Sequence, residues 1–536
     1  MQTKPSPSGR GVFRRALLAV ALLTASISFA QSSGTGVLTG RVYSSVTNEF
    51  VRNAEIQIVN SSQSTVSGNG GNFRIANLPE GVVEVVVSYA GYADIRSTAT
   101  IRAGQTTSLE LDFSSRGSST VGDDGTVVMA EFVVSSEIEG NAKALMEQRN
   151  SMDLGRSIAS DVFGDVTEGN VGEFLKYLPG IEMEYVEADT RGPRLGGLNP
   201  EYTGVSVDGM KQASADAFMQ YGGTENGSTG GGGRSFSFEQ VSINSIESIE
   251  ITRVTPANLD ADAPAGTINL KTKRAFDRKG RLIKWAASMG MNSEEFHLGK
   301  SAGPGDGPHT SKVKPTLSFS YADSFFDNRL GVLFGYSSSN LYNEQYRVEH
   351  TYQRTPTTTD PRPQVLTQVR FKDGPKWTNR TTFTSTVDFK ATEDLMFSLS
   401  AVRNLYEASF YNRNLDFRAT ANNTSATNGR QWAGGDGLTT FSTNSTSSGS
   451  ASNRYVATGG GNGNKQTKGY TVTPKFEWRL GDLLIEGSIA TSYSDNTYDN
   501  LRKGRAGDAQ TNNLTGVQFT ATRSNEFSGD WNFVQT

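Results

Sequence analysis

Few residues in this chain have a catalyst's chemistry, and their spacing argues against one. There is no cysteine, and imidazole comes only from His297, His309 and His350, scattered through one late region. That removes thiolate catalysis and Cys-based metal sites, and leaves metal or triad chemistry poorly supplied. Asp260 and Asp262 set two carboxylates in one loop. Such hard oxygen ligands suit Ca²⁺; a solvated turn is the alternative. Lys271, Lys273 and Arg274 form a cationic run that reads as a junction between domains and not as a phosphate site. Tyr406, Phe410, Tyr411 and Trp432 are candidates either for stacking on sugar rings or for an aromatic girdle at a membrane interface. No residue set points to an enzyme, a metal or a cofactor. One segment offers chemistry of another kind: Val127, Val128, Met129, Ala130, Glu131, Phe132, Val133 and Val134 are apolar and β-prone, too short to bury themselves, and flanked by polar chain. They read either as the first strand of the next domain or as a peptide that another protein pairs with by strand addition.

The elements that position these residues are mainly strands. Glycine is abundant at 58 residues and aromatics reach 10%, a signature of many strands joined by turns. Residues 36–113 alternate short apolar strands (36–42, 54–59, 72–75, 82–89 and 108–113) with turns at 68–71 and 79–81, which suits a small β-sandwich. A Ser/Gly/Asp linker covers 114–126, and 151–273 reads as a mixed α+β domain. Its helix is announced by Val171, Phe174, Leu175 and Leu178 on one stripe, capped by Asp165 or Thr167 and stopped at Pro179-Gly180. Strands are expected at 181–186, 203–207, 246–254 and 266–273, and Gly222–Arg234 reads as a flexible loop.

Residues 1–30 have the three parts of a secretory signal peptide. Lys4, Arg10, Arg14 and Arg15 lead, Ala16–Leu23 is a short apolar run, and Ser28-Phe29-Ala30 is a small-x-small cleavage site. No later stretch approaches a membrane helix, so membrane residence requires a closed β-barrel. From Lys284 onward, segments of about 10 residues alternate apolar and polar, the repeat of a barrel wall: 314–322, 330–336, 381–389, 395–402, 470–478 and 484–493. Tight turns at Asp327-Asn328, Glu393-Asp394 and Gly481-Asp482 alternate with long polar stretches at about 337–378 and 412–466, as on the two rims of an outer-membrane barrel. The formal net charge of −4, from 51 basic and 55 acidic residues, announces no polyanion-binding surface, and no nucleic-acid partner is expected.

Two stretches resemble known families. Gly40-Arg41-Val42, Gly71–Gly81 and Val87–Tyr92 resemble the carboxypeptidase regulatory-like module, which implies a spacer or docking fold without catalysis. Ser160–Ile181, Leu198–Gly209, Ile246–Arg253 and Ala265–Phe276 together resemble the plug domain of TonB-dependent outer-membrane receptors. On that resemblance Pro179, Gly180, Asp208, Gly209, Glu250, Gly266 and Asn269 are the plug-motif residues, and Val127–Val134 is the TonB box. Two positions depart from the family pattern: Gly196-Gly197-Leu198 stands where Arg-Gly-Leu is usual, with Arg191 and Arg194 nearby but offset, and Ala265-Gly266 stands for Gly-Gly. A methyl group at 265 is tolerable where φ is negative.

The organisation expected is therefore a signal peptide (1–30), a regulatory-like sandwich (31–113), a linker with the candidate TonB box (114–150), a plug (151–276) and the first part of an antiparallel transmembrane barrel (277–536). The resemblance implies energised import across the outer membrane of a Gram-negative-type bacterium. A TonB-type periplasmic protein would supply the work, and a scarce solute would be the cargo: an oligosaccharide, or alternatively an iron chelate bound as a ferric siderophore. A barrel-anchored surface or adhesion protein is the rival. Some 260 residues after the plug suffice for about nine or ten strands, far short of the family's 22, and the last residues lack a terminal aromatic, so a fragment of a longer receptor is expected.

Overall fold

The computed structural model describes residues 35–45, 47–113, 135–151, 155–160, 170–186, 189–215, 236–243, 246–254, 262–277, 280–292, 298–299, 311–419, 431–443, 454–480, 483–498, 512–515 and 517–536. The signal peptide, Val127–Val134, Asp165, Thr167, Gly222–Arg234, Asp260, His297 and His309 lie outside them.

Alternation in the first hundred residues builds two facing sheets. One sets β1 (Thr35–Ser44) between β5 (Asn72–Pro79) and the parallel β8 (Thr106–Asp112), with β2 (Glu49–Phe50) at the end of β1; the other runs β4 (Ser64–Val66), β3 (Glu55–Ile58), β6 (Gly81–Ser88), β7 (Ile95–Ile101). Leu38, Val42 and Phe73 from the first meet Ile56, Val85 and Val87 from the second, all buried, as two inner faces must. The expected strands are present; β7, whose Arg, Ser and Thr dilute the apolar alternation, was not foreseen.

Residues 135–150, expected as linker, instead form helix α1 (Ser135–Asn150). Its Ala142 and Met146 insert into the sandwich core, so tertiary packing stabilises a helix that weak amphipathicity hides from the sequence.

The central domain is a five-stranded sheet in the order β13 (Met210–Lys211), β12 (Thr203–Val207), β15 (Gly266–Thr272), β14 (Ile246–Thr252), β9 (Gly155–Ala159), beside a hairpin of β10 (Ile181–Val186) and β11 (Asp189–Leu195). The stripe Val171, Phe174, Leu175 and Leu178 is buried as expected, but the helix, α2 (Val171–Leu175), is a short one. Its N-cap is Asn170, whose side chain accepts from Gly172 N at 2.8 Å, in place of the expected Asp165 or Thr167.

The third part is a curved antiparallel sheet. Its order is β16 (Leu282–Gly290), β17 (Lys314–Phe325), β18 (Leu330–Gln353), β19 (Val365–Lys390), β20 (Leu395–Arg418) and β22 (Arg454–Leu480). The far edge of β22 is shared by β23 (Leu483–Ser488), β24 (Thr491–Tyr498) and β25 (Asn512–Thr515). The nine segments thus fill seven positions, fewer than the nine or ten expected, and among the described residues the two edges do not meet. Leu317, Phe319, Phe334, Phe383, Phe389, Phe397, Leu399 and Phe476 are exposed on one face, while Thr382, Thr386 and Asp388 are buried on the other. Apolar outside and polar inside is the pattern of a lipid-facing barrel wall. No helix among the described residues is long and apolar enough to cross a membrane.

The stretch at 337–378 is not a long loop but mostly the continuation of two strands: β18 pairs with β19 through 24 consecutive positions of β18, from Leu330 to Gln353. Within 412–466, β20 runs on to Arg418 and β22 begins at Arg454. Polar side chains on both faces erased the alternation there, yet ladder hydrogen bonds require no apolar face. The tight turn after β17 is as expected, with Phe326, Asp327 and Asn328 all at positive φ. At the opposite end β21 (Thr440–Ser442), β26 (Phe519–Thr522) and β27 (Asn532–Gln535) form a small sheet over an aromatic cluster that includes Phe417, Phe441 and Phe533. The sandwich stands against the tight-turn rim, where Arg41 and Arg74 face Asn328, Lys390 and Arg479 across a cavity.

Candidate functional site

The inner face of the curved sheet is filled by the central domain, and the two surfaces meet through buried charge. Asp189, at the tip of the β10–β11 hairpin, accepts from Lys376 Nζ at 2.5 Å, Arg380 Nη2 at 3.0 Å and the Tyr406 hydroxyl at 3.4 Å. Glu239 pairs with Lys465 and, at 3.1 Å, with Arg191, and its backbone carbonyl accepts from Arg380 Nε at 2.6 Å. Arg380 is the largest wholly buried side chain of the chain's described part. Two strands supply the wall cations: Lys376 and Arg380 sit on the inward row of β19, opposite Phe410 and Tyr406 of β20, and Lys465 of β22 lies opposite Ala408 of β20.

Burial pushes both carboxyls up, but the cations outweigh it. Lys376 and Arg380 hold Asp189 well below the usual carboxylate range, and Arg191 and Lys465 hold Glu239 at about 2. Both acids are therefore charged at neutral pH. Two carboxylates face four cations here, a surface fastened by ion pairs that water does not screen.

A second cluster joins the expected motif residues. Asn269 Oδ1 accepts from Gly209 N at 2.8 Å and Ser206 Oγ at 3.0 Å, while its Nδ2 donates to Glu250 at 3.2 Å. Asp208, at φ 50°, accepts from Thr272 N and Oγ1 at 2.9 and 2.7 Å, and Lys475 of the wall lies 3.5 Å from its carboxylate. Four expected residues (Asp208, Gly209, Glu250 and Asn269) thus share one network across β12, β15 and β14. Pro179, Gly180 and Gly266 gather elsewhere, around Arg253: its Nη2 donates to the Pro179 carbonyl at 2.6 Å. Gly266 holds φ +114°, and a side chain there would strike the Thr252 carbonyl and approach the Arg253 backbone to 3.0 Å. Ala265 is not among the residues at positive φ, so its methyl group is accommodated.

Residues 148–267 match the model of the TonB-dependent Receptor Plug Domain, and residues 37–114 match that of the Carboxypeptidase regulatory-like domain. The chain carries a TonB-dependent receptor plug. A plug seated on a sheet with an apolar outer face places it in the outer membrane. No curated protein matches the chain. Among solved structures, the ferric enterobactin receptor of Pseudomonas aeruginosa is 10% identical at a TM-score of 0.30, over 69% of this chain and 55% of its own. The ferric citrate transporter FecA is 11% identical at 0.29, over 74% and 64%, and the outer-membrane transporter YddB of Escherichia coli 10% identical at 0.24, over 69% and 54%. The chain spans a little over half to just under two thirds of the lengths of those three proteins.

The remaining expectations fare unequally. Tyr406 is neither a sugar platform nor part of a girdle: it is buried against Asp189, with Arg380 over its ring at 5.5 Å. Trp432 is buried in the aromatic cluster at the far end. Asp262 pairs with Lys211 at 2.6 Å, and no group of three potential metal ligands occurs among the described residues. Lys271 is engaged by Glu147 and Glu250, and Lys273 offers its carbonyl to Thr386 of the wall. Asp189, Arg191, Glu239, Lys376, Arg380 and Lys465 were not anticipated as a site. The readable signal was Lys376 and Arg380 on the even-numbered row of a strand whose odd-numbered row carries Phe383 and Phe389 outward.

Proposed function

We propose that this chain is the plug-bearing part of a receptor that imports a scarce solute across the outer membrane with work delivered from the periplasm. The observation that carries the reading is the ionic fastening of Asp189 and Glu239 to Lys376, Arg380 and Lys465. Breaking one partner of a buried pair costs roughly 3–5 kcal/mol, so thermal motion alone opens a plug held in this way only rarely. The outer membrane holds no ATP. A TonB-type partner adding a strand to Val127–Val134 and pulling is the source of work we favour. In this role Pro179, Gly180, Asp208, Gly209, Glu250, Gly266 and Asn269 keep the plug a single folded unit.

For the solute we favour an oligosaccharide, on the resemblance of Asp161–Ile181 and Asp260–Phe276 to receptors of carbohydrate uptake. Burial of Tyr406 and Trp432 leaves neither as a platform for a sugar ring, and a ferric siderophore is the direct rival. Growth of a deletion strain on oligosaccharides and on ferric chelates as sole sources tests this. Loss of growth on one class identifies the cargo; unchanged growth on all favours a surface or adhesion role.

A further inference from the structure

Helix α1 connects the two bodies on either side of it, and it does so mainly through one side chain. Glu147 accepts from Arg52 of the sandwich at 3.4 Å, from Ser157 of β9 at 2.8 Å and from Lys271 of β15. Only 10% of its side chain is exposed, and although burial pushes its carboxyl up, Arg52 and Lys271 bring it below the ordinary value. The rest of the helix divides the same way. Ala142 and Met146 pack into the sandwich, Asn150 Nδ2 donates to the Asn53 carbonyl at 3.3 Å and Arg149 pairs with Glu55, while Lys143 pairs with Glu247 of the plug. Beyond Lys271 the contacts continue through Glu250 to Asn269 and Gly209, the centre of the plug network.

We propose that α1 is a clasp between sandwich and plug, with Glu147 as its pin, and that withdrawing it frees the sandwich when the chain just before it is pulled. Without the pin, Arg52 and Lys271 lose the carboxylate that they share, while Lys271 keeps Glu250 at 3.5 Å on the plug side. Gly140 inside the helix weakens it further, so an undocked α1 melts. Docking and helicity are then lost together, which makes release all-or-none. That a pull occurs in the cell rests on the import reading; the clasp does not.

The chain has no cysteine, so Ser135→Cys gives a unique thiol for a handle, and the full chain in detergent, anchored at its C-terminus, is pulled from that point in optical tweezers. The first rupture should lengthen the tether by about 30 Å, the gain when 16 helical residues become extended. Glu147→Gln should lower the force of that step without changing later ones. Hydrogen exchange at residues 140–150 should rise at least tenfold in Glu147→Gln and in Lys271→Gln, with β6 of the sandwich unaffected; this second readout needs no handle. A first rupture that unravels plug strands, or unchanged exchange in both variants, overturns the clasp. Uptake assays are not used, so failure of the import reading leaves this test intact.

Discussion

Replacing Asp189 by Asn strips the charge from the carboxylate that Lys376, Arg380 and Tyr406 all address. The amide oxygen still accepts one of those bonds, so the cost falls at the low end of the range for orphaning buried charges, about 3 kcal/mol. Each 1.4 kcal/mol is a factor of ten, so amide exchange in the β10–β11 hairpin should quicken about 100-fold if it opens by leaving the wall. Hydrogen exchange with mass spectrometry on the detergent-solubilised chain reads this directly, with Asp327→Asn in the exposed turn as a control that changes nothing. Adding Arg380→Met to Asp189→Asn removes one of the two cations that face the lost charge and should cost less than the sum of the single changes, a non-additive pair. Protection altered less than threefold by Asp189→Asn, or strictly additive effects in the double variant, would refute the fastening.

Other expectations follow from the same contacts. Gly266→Ala places a side chain against the Thr252 carbonyl at φ +114° and should destabilise the plug by about 1–3 kcal/mol, read as a lower urea midpoint. Asn269→Ala leaves Gly209 N and Ser206 Oγ without their acceptor and should cost about 1–3 kcal/mol in the same titration. Acid should loosen the plug before the sandwich. Asp189 and Glu239 are depressed in the folded state, so their contribution is full above the unfolded carboxylate values near pH 4. It is lost as pH falls from there through about 2, and hydrogen exchange that finds the β10–β11 hairpin equally protected at pH 2.5 and pH 7, once corrected for the intrinsic rate, contradicts it.

Much of the fold was legible because alternation and turn chemistry act locally. Ile181–Val186 and Thr203–Val207 match the sequence reading to the residue, since each is bounded by glycine or a reversal, and the second buries one face through Thr203, Val205 and Val207. Legibility failed where tertiary contact supplies what local sequence lacks. Helix α1 has little apolar periodicity and owes its place to Met146 and Glu147, whose partners lie in two other domains. The upper halves of β18 and β19 carry polar residues on both faces and persist through backbone pairing. The central charge cluster was illegible for a further reason: Asp189 and Arg380 are 191 positions apart, and only the plug's docking brings the hairpin tip to the inward row of β19. The motif residues Asp208, Gly209, Glu250 and Asn269 were legible as a set through resemblance, and the structure adds that the Asn269 side chain joins Gly209 to Glu250.

In the proposed import, work applied to the segment before α1 opens a plug otherwise held by buried ion pairs. The direct measurement is uptake by cells producing the chain in its native full-length context, with and without residues 127–134, using whichever oligosaccharide or ferric chelate supports receptor-dependent growth. The deletion should abolish uptake while surface binding of the solute and the amount of receptor in the outer membrane stay unchanged. Undiminished uptake by the deletion variant would contradict it.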